Sequence, residues 1–436
     1  MGHAVNPDRE YRLLQKRLDS HIAGAPETPE FMKILRLLFS PTEAELARRI
    51  PFRLTPLHVL SEKLGIPEEK LNDKMNEMGE RGLVLDSEHD GIRYIALAPV
   101  VIGFYEFTFM RTREDMPMAE LSRLFDTYMN ADDRFARSAF KGQTQLARSL
   151  VREEALPEGD HTEILDWERA SRIVRSATAV GVSLCACRHK ASHLGKACEN
   201  TLQNCLSFNS AAKMLFRSGL AQPVTKDEAM RILERSKEAG LAQTGDNVQK
   251  KVTYICNCCS CCCGFMHAIK TFDLRNAVVT SNWIAQVDTA NCTGCGKCAE
   301  SCPVDAIDLM ELKIGKKKRR QAVRDNELCL GCGVCYSACE NGGISMKPRE
   351  RKAVVPETVY DRTVMMAIER GKLRDLIFDC PEKLSHRAIG RMIGVLEKSP
   401  PAKVAMAIKP LRSAFLNAVV MRAKRESRSR YGKDFG

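Results

Sequence analysis

Apolar positions in the first third of the chain recur at helical spacing, and the residues between them punctuate the elements. Ser40-Pro41-x-Glu43 has the form of a capping box with proline at the first helical position. Thr55-Pro56 predicts a second helix by the same logic. Leu57, Leu60 and Leu64 lie on one face of it, and Gly65 ends it. Pro67 opens the next, with Leu71, Met75 and Met78 on its apolar face. Gly82-Leu83-Val84-Leu85 and Arg93 to Leu97 then read as two short strands around a polar turn at Asp86 to Gly91. Met116 to Ala155 predicts a further amphipathic helical stretch, with Leu121, Leu124, Phe125 and Tyr128 at helical spacing. Pro157-Glu158-Gly159 interrupts it. Thr225-x-x-Glu228 caps a helix that Gly240 closes. After Lys347 three helical segments follow: "ETVYDRTVMMAIERGKLRDLIF", "SHRAIGRMIGVLEKS" and "KPLRSAFLNAVVMRAKR". Their methionines read as core filler, and the lone Cys380 as a small buried hydrophobe. The expected fold class is a mainly α, multidomain chain with small β elements.

Helix, turn, helix and a two-stranded wing over about residues 30 to 100 resemble the winged-helix fold. That resemblance implies DNA binding, but the residues of the reading helix oppose it. "PEEKLNDKMNEMGER" sets Glu68, Glu69, Asp73, Glu77 and Glu80 against Lys70, Lys74 and Arg81. DNA affinity rests on phosphate neutralisation by Lys and Arg. A net acidic helix favours docking to protein, and no specific nucleic acid is expected as partner.

With 436 residues the chain exceeds one core, and about three domains are expected. Its 19 cysteines are the anomaly. The N-terminal "MGHAVNPDREYRLLQKRLDS" has no apolar core of a secretory signal, so the cysteines read as cytoplasmic metal ligands rather than disulfides. The longest apolar run, Tyr94 to Tyr105, contains Pro99 and falls short of the roughly 18 residues a membrane helix needs. The formal charge of +12 is concentrated at Gly315 to Arg320 and in the tail "RAKRESRSRYGK". Such runs attract acidic partners or are simply solvated.

Two cysteine runs define the chemistry: Cys292-x-x-Cys295-x-x-Cys298-x-x-x-Cys302-Pro303, and Cys329-x-x-Cys332-x-x-Cys335-x-x-x-Cys339. Each has the C-x2-C-x2-C-x3-C spacing of bacterial [4Fe–4S] binding, in which the fourth cysteine of a paired run ligates the other cluster. Structural zinc sites use pairs separated by longer loops instead. The stretch from about Trp283 to Lys347, with "NCTGCGKCAESCPVDAI" and "LCLGCGVCYSACENGGI", closely resembles the bacterial two-cluster ferredoxin domain. One cluster is assigned to Cys292, Cys295, Cys298 and Cys339, the other to Cys329, Cys332, Cys335 and Cys302. The second run has Glu340 where that family has proline. A carboxylate beside a cluster disfavours the added electron, so unequal potentials are expected.

Ten more cysteines fall upstream. Cys185, Cys187, Cys198 and Cys205 form a spread set, and Cys256, Cys258, Cys259, Cys261, Cys262 and Cys263 are crowded into "CNCCSCCCG". Adjacent side chains on a regular element do not all face one core, so packing does not explain the density. The spread set matches the four thiolates of one cubane. Arg188 and Lys190 beside it favour thiolates. His189 and His193 at i, i+4 make zinc a competitor at Cys185 and Cys187. The crowded set supplies a second cluster, shares ligands with the first, forms a dithiol, or holds a cluster with an unusual ligand pattern. The whole layout looks like a group of large iron–sulfur proteins of anaerobic bacteria, presumed electron carriers.

No G-x-G-x-x-G, P-loop or radical-SAM C-x3-C-x2-C motif is present, so no flavin or nucleotide is indicated. The expected organisation is a helical, winged-helix-like domain (1–115), a helical connector (116–180), a helical cysteine-rich cluster domain (181–282), an α+β two-cluster ferredoxin domain (283–348) and a helical C-terminal extension (349–436). The expected function is single-electron relay through three or four [4Fe–4S] clusters, between a low-potential donor and a catalytic oxidoreductase partner. The alternatives are an oxidoreductase with a substrate-binding cluster at the crowded run, and a redox sensor acting through the winged helix.

Overall fold

The computed structural model describes residues 7–156, 168–314 and 317–377. The turn expected at Pro157-Glu158-Gly159, Cys380, the last two helical segments and the basic tail lie outside the described residues. The chain divides into two compact units after Thr363. In the second, Val364, Met366, Ala367 and Leu373 are buried, and a short helix spans Leu373–Ile377.

The first unit opens with α1 (Pro7–Asp19), α2 (Pro29–Leu38) and α3 (Pro41–Ala47). The capping box forms: the Ser40 hydroxyl accepts from the Glu43 N–H at 3.3 Å, and the Glu43 carboxylate accepts from the Ser40 N–H at 2.8 Å. β1 (Thr55–Pro56) precedes α4 (Leu57–Leu64) and α5 (Glu68–Glu80), with Gly65 left-handed between the helices. β2 (Val84–His89) and β3 (Ile92–Leu97) complete an antiparallel sheet in the order β1-β3-β2. Thr55 does not cap α4. It pairs with Ile95 as a strand residue, and its hydroxyl donates to the Arg53 carbonyl at 3.0 Å.

α6 (Tyr105–Phe109), α7 (Met118–Asn130) and α8 (Arg134–Ala139) follow. An aromatic core joins them to α2, with the Phe31 and Tyr128 rings 4.7 Å apart and Tyr105 and Phe125 5.1 Å apart. The helical stretch expected over Met116 to Ala155 ends at Ala139. Gly142 takes a positive φ, and Ala147–Ser149 becomes a strand, β4.

β4 is the edge of a six-stranded antiparallel sheet in the order β4-β8-β9-β6-β5-β7. Its other members are β5 (Val180–Leu184), β6 (Gln203–Phe208), β7 (Gln222–Pro223), β8 (Ala242–Asp246) and β9 (Tyr254–Cys258). α9 (Ala170–Ser176) and α12 (Lys226–Glu238) cover it, joining Val174 and Leu233 to Val180, Leu206 and Ile255 in one core. α10 (Ala186–Ser192) packs on α6, and α11 (Asn209–Arg217) on β5 and β6. The cysteine-rich part is therefore mixed α and β, not helical as expected. Its strands carry cysteines where a strand pattern would show apolar residues, which hides their alternation.

α13 (Gly264–Phe272) leads to the ferredoxin-like part. There β10 (Trp283–Val287) pairs with β13 (Ile344–Pro348), and β11 (Ile307–Ile314) with β12 (Lys317–Arg324). Two one-turn helices, α14 (Lys297–Glu300) and α15 (Val334–Ser337), carry the third cysteine of each run, Cys298 and Cys335. One buried core contains Cys258, Cys263 and Met266 together with Cys298, Cys302, Cys329, Cys332 and Cys335.

Glu43 is 3% exposed. Burial pushes its carboxyl pKa up, but the Arg81 ion pair, the Ser40 N–H and the Lys74 ammonium at 2.9 Å outweigh this and hold it at about 2. Its contribution is complete above the unfolded pKa and is lost as pH falls toward 2. Glu43→Gln is expected to cost roughly 2 kcal/mol in urea unfolding at pH 7, a gap that closes as pH drops from about 4.5 to about 2. A gap independent of pH contradicts the ion-pair account.

Candidate metal centres

The ferredoxin-like part holds two small cavities. Cys292, Cys295 and Cys298 line one of about 350 Å³ together with Cys339. Cys329, Cys332 and Cys335 line the other, of about 320 Å³, together with Cys302. The fourth cysteine of each run thus stands with the first three of the other. The α14 and α15 turns separate it from its own loop. The first cavity is the outer one, with Cys295 exposed and Cys292 and Cys339 half-buried. All four cysteines of the inner cavity are buried.

The donors suit anionic sulfur. The Ala306 N–H donates to Cys302 Sγ and the Gly343 N–H to Cys339 Sγ, both at 3.2 Å. The Lys297 N–H holds the Cys295 thiol below its ordinary pKa. Burial, with Cys302 and Cys329 beside it, pushes Cys332 up to about 12. Four such thiols ionise together only around a cation, which cluster iron supplies. The loops are pressed against their supports. A Cβ on Gly294 would overlap the Arg320 carbonyl, and one on Gly331 the Trp283 carbonyl; both glycines have positive φ. Glu340 flanks Cys339, hence the outer cavity, and Lys297 pairs with it at 2.6 Å. That ammonium offsets the field expected of the carboxylate. At the inner cavity the Cys332 carbonyl accepts from the Arg152 N–H at 3.1 Å, and the Cys329 carbonyl accepts from the Arg349 guanidinium.

The ten upstream cysteines do not divide by chain position. Cys198 leaves the spread set and joins Cys259, Cys261 and Cys262, whose four Sγ atoms lie within 4.8 Å of one another. The remaining six gather where α6, α10, β6, β9 and the start of α13 meet. Contacts run from Cys187 to Cys263, Cys258, Cys256 and Cys205 in turn, with Cys185 beside Cys187 and Cys205. Cys263 pushes the Cys187 thiol up, and Cys205 and Cys258 push up Cys256, with burial adding to both. Contacts from Cys256 and Cys263 hold Cys258 down to about 6, and the Thr244 hydroxyl lies 3.2 Å from its sulfur. Ionisation is thus disfavoured at Cys187, Cys256 and Cys263 and favoured at Cys258. The Arg188 guanidinium lies between the two groups, near both Cys185 and Cys198. His189 stands apart from both. Its Nδ1 is 2.8 Å from the Phe109 carbonyl and its ring packs on His193 at 4.9 Å. Among the described residues no histidine joins a compact ligand group.

Three residues of this chamber escaped the sequence analysis. The Tyr105 hydroxyl touches Cys187. Tyr254 lies near Cys256 and Glu106, and its hydroxyl donates to the Leu146 carbonyl at 2.9 Å. Glu106 accepts from the Gly103 N–H at 2.8 Å, and burial pushes its carboxyl up to about 7. An isolated Glu in "FYEFTF" carries no motif that would have singled it out.

The cavity grouping makes Cys339→Ala informative. Anaerobic alkylation followed by peptide mass spectrometry is expected to find Cys292, Cys295 and Cys298 newly reactive, with Cys302, Cys329, Cys332 and Cys335 still protected. The reverse pattern contradicts the crossed grouping.

Residues 291–342 match the 4Fe-4S dicluster domain family. Searches of the curated proteins and of the solved structures find no match to the chain. The segment bearing the eight paired cysteines resembles dicluster ferredoxin domains in sequence and in the donor set it assembles, and the protein binds [4Fe–4S] clusters there.

Proposed function

We propose that the chain relays single electrons from a low-potential donor to a catalytic partner through three [4Fe–4S] centres, two in the dicluster domain and one in the upstream chamber. A bound cubane accepts and releases one electron with little change of geometry. The observation that carries the reading is the shared buried core. Cys258 and Cys263 of the chamber pack in the same apolar cluster as Cys298, Cys302, Cys329, Cys332 and Cys335. Arg152 ties the two regions, its backbone on Cys332 and its guanidinium on the Lys237 carbonyl at 2.8 Å. A further bridge joins Lys270 of α13 to Asp305 at 2.9 Å. In this reading four of the six thiols Cys185, Cys187, Cys205, Cys256, Cys258 and Cys263 provide the ligands of the third centre.

The outer cavity is the exchange face. Cys295 is exposed there, and Lys297, Arg319 and Arg320 are exposed around it, with Arg319 donating to the Cys292 carbonyl at 2.6 Å. This face suits a partner with acidic surface. The winged-helix-like part, β1 to β3 with α2 to α5, is proposed to dock protein rather than DNA. Lys74 is bound by Glu43 and Glu77, and Arg81 by Glu43, while Glu68, Glu69, Asp73 and Glu80 are exposed. Those pairings also weigh against a DNA-acting sensor. Among the described residues no helix is long and apolar enough to cross a membrane.

A second reading is chemistry at the chamber, with the third centre binding substrate. Glu106 and Tyr105 favour it, as a carboxyl that titrates near neutrality and a hydroxyl beside Cys187.

Anaerobic EPR with a redox titration of the full chain tests the relay. Three one-electron centres are expected. Cys187→Ser with Cys263→Ser is expected to remove one and leave two with unchanged potentials. Two centres in the unaltered protein, or three in the double variant, contradict the proposal.

A further inference from the structure

Cys198, Cys259, Cys261 and Cys262 belong to neither the dicluster cavities nor the chamber. The geometry points to a separate mononuclear site: we propose that these four thiolates hold one divalent metal ion, zinc or ferrous iron, in a closed tetrathiolate centre.

Size is the first argument. A tetrahedral ion with sulfur at about 2.3 Å sets its ligands about 3.8 Å apart. The four Sγ atoms here all lie within 4.8 Å, and Cys261 and Cys262 are 3.5 Å apart. A cubane carries its thiolates on four different iron corners, so they stand much farther apart than the ligands of a single ion. The molecule supplies its own comparison. Among the described residues this is the one group of three or more ligand side chains so tightly gathered. The eight cysteines of the dicluster domain line two cavities and form no such compact group.

The surroundings are built for negative sulfur. Arg188 is 1% exposed; its Nε donates to Cys198 Sγ at 3.2 Å and its Nη1 to the Thr201 carbonyl at 2.6 Å. The guanidinium is therefore anchored on backbone while it faces the site. Asn200 Nδ2 donates to the same sulfur at 3.5 Å. Such outer donors orient ligands and offset the charge that four thiolates leave on a divalent ion.

The site's place in the chain indicates what it does. Cys256 and Cys258 precede the turn of Cys259, Cys261 and Cys262, and Cys263 follows it; those three project into the chamber. Cys198 comes from the distant loop between α10 and β6. An ion here staples that loop to the turn and fixes the chamber wall from outside, with all four positions filled by protein. In its zinc form the site is redox-inert, and with either ion it lies outside the three cubane centres, so the proposal stands apart from the relay.

Anaerobic native mass spectrometry of the full chain, with iron, zinc and acid-labile sulfide determined on the same sample, tests it. Cubanes contribute equal iron and sulfide. Total metal is therefore expected to exceed sulfide by one per chain. If the excess is zinc the ion is zinc, and if it is iron the ion is ferrous. Metal equal to sulfide overturns the proposal. The exposed Cys261 offers the variant: Cys261→Ala is expected to abolish the excess and leave every cubane in place. Loss of four irons with four sulfides would instead assign these thiolates to a cluster. Should the variant fail to fold, the count on the unaltered chain decides alone.

Discussion

Sulfur anions crowded out of water constrain everything else in this molecule. Eighteen cysteines lie in the described residues, none in a disulfide. Burial pushes thiols such as Cys332, Cys335 and Cys185 away from ionisation, while contacts with other thiols or with Arg188 pull Cys258 and Cys259 toward it. No arrangement of protein groups alone satisfies so many donors at once. Cluster iron does so for the eight cysteines of the dicluster segment.

The remaining architecture serves that constraint. The six-stranded sheet brings Cys205 on β6 and Cys256 and Cys258 on β9 into adjacent positions, with Leu206 opposite Ile255. α10 and α13 supply Cys187 and Cys263 from outside the sheet. The N-terminal helices close the chamber, because α6 lays Tyr105 and Glu106 against it and the Phe109 carbonyl takes the His189 ring. Buried Arg152 and half-buried Arg349 place positive charge beside the carbonyls of the inner dicluster cavity, and buried Arg188 places it on the Cys198 sulfur.

Legibility followed sequence distance. The dicluster runs were readable because three ligands of each centre fall within seven residues and the loop encodes its own wrapping. Their exchange of Cys302 and Cys339 was readable from the same spacing. The capping box at Ser40, the stop at Gly65 and the cap at Thr225 are local as well, and the structure contains each. The upstream cysteines stood out in the sequence by density, but their grouping did not. Cys187 meets Cys263, and Cys198 meets Cys259, across strands whose pattern the cysteines themselves obscured. Thr55 was read as a cap because its pairing with Ile95 is a contact across the sheet. Glu106 was invisible, since only burial makes that carboxyl unusual.

Anomalous diffraction at the iron edge from anaerobically grown crystals of the full chain tests the central claim most directly. The account predicts iron density at three polynuclear positions: between Cys292, Cys295, Cys298 and Cys339, between Cys302, Cys329, Cys332 and Cys335, and within the chamber of Cys187, Cys205, Cys256, Cys258 and Cys263. Iron confined to the two dicluster positions, with the chamber thiols free, would contradict it.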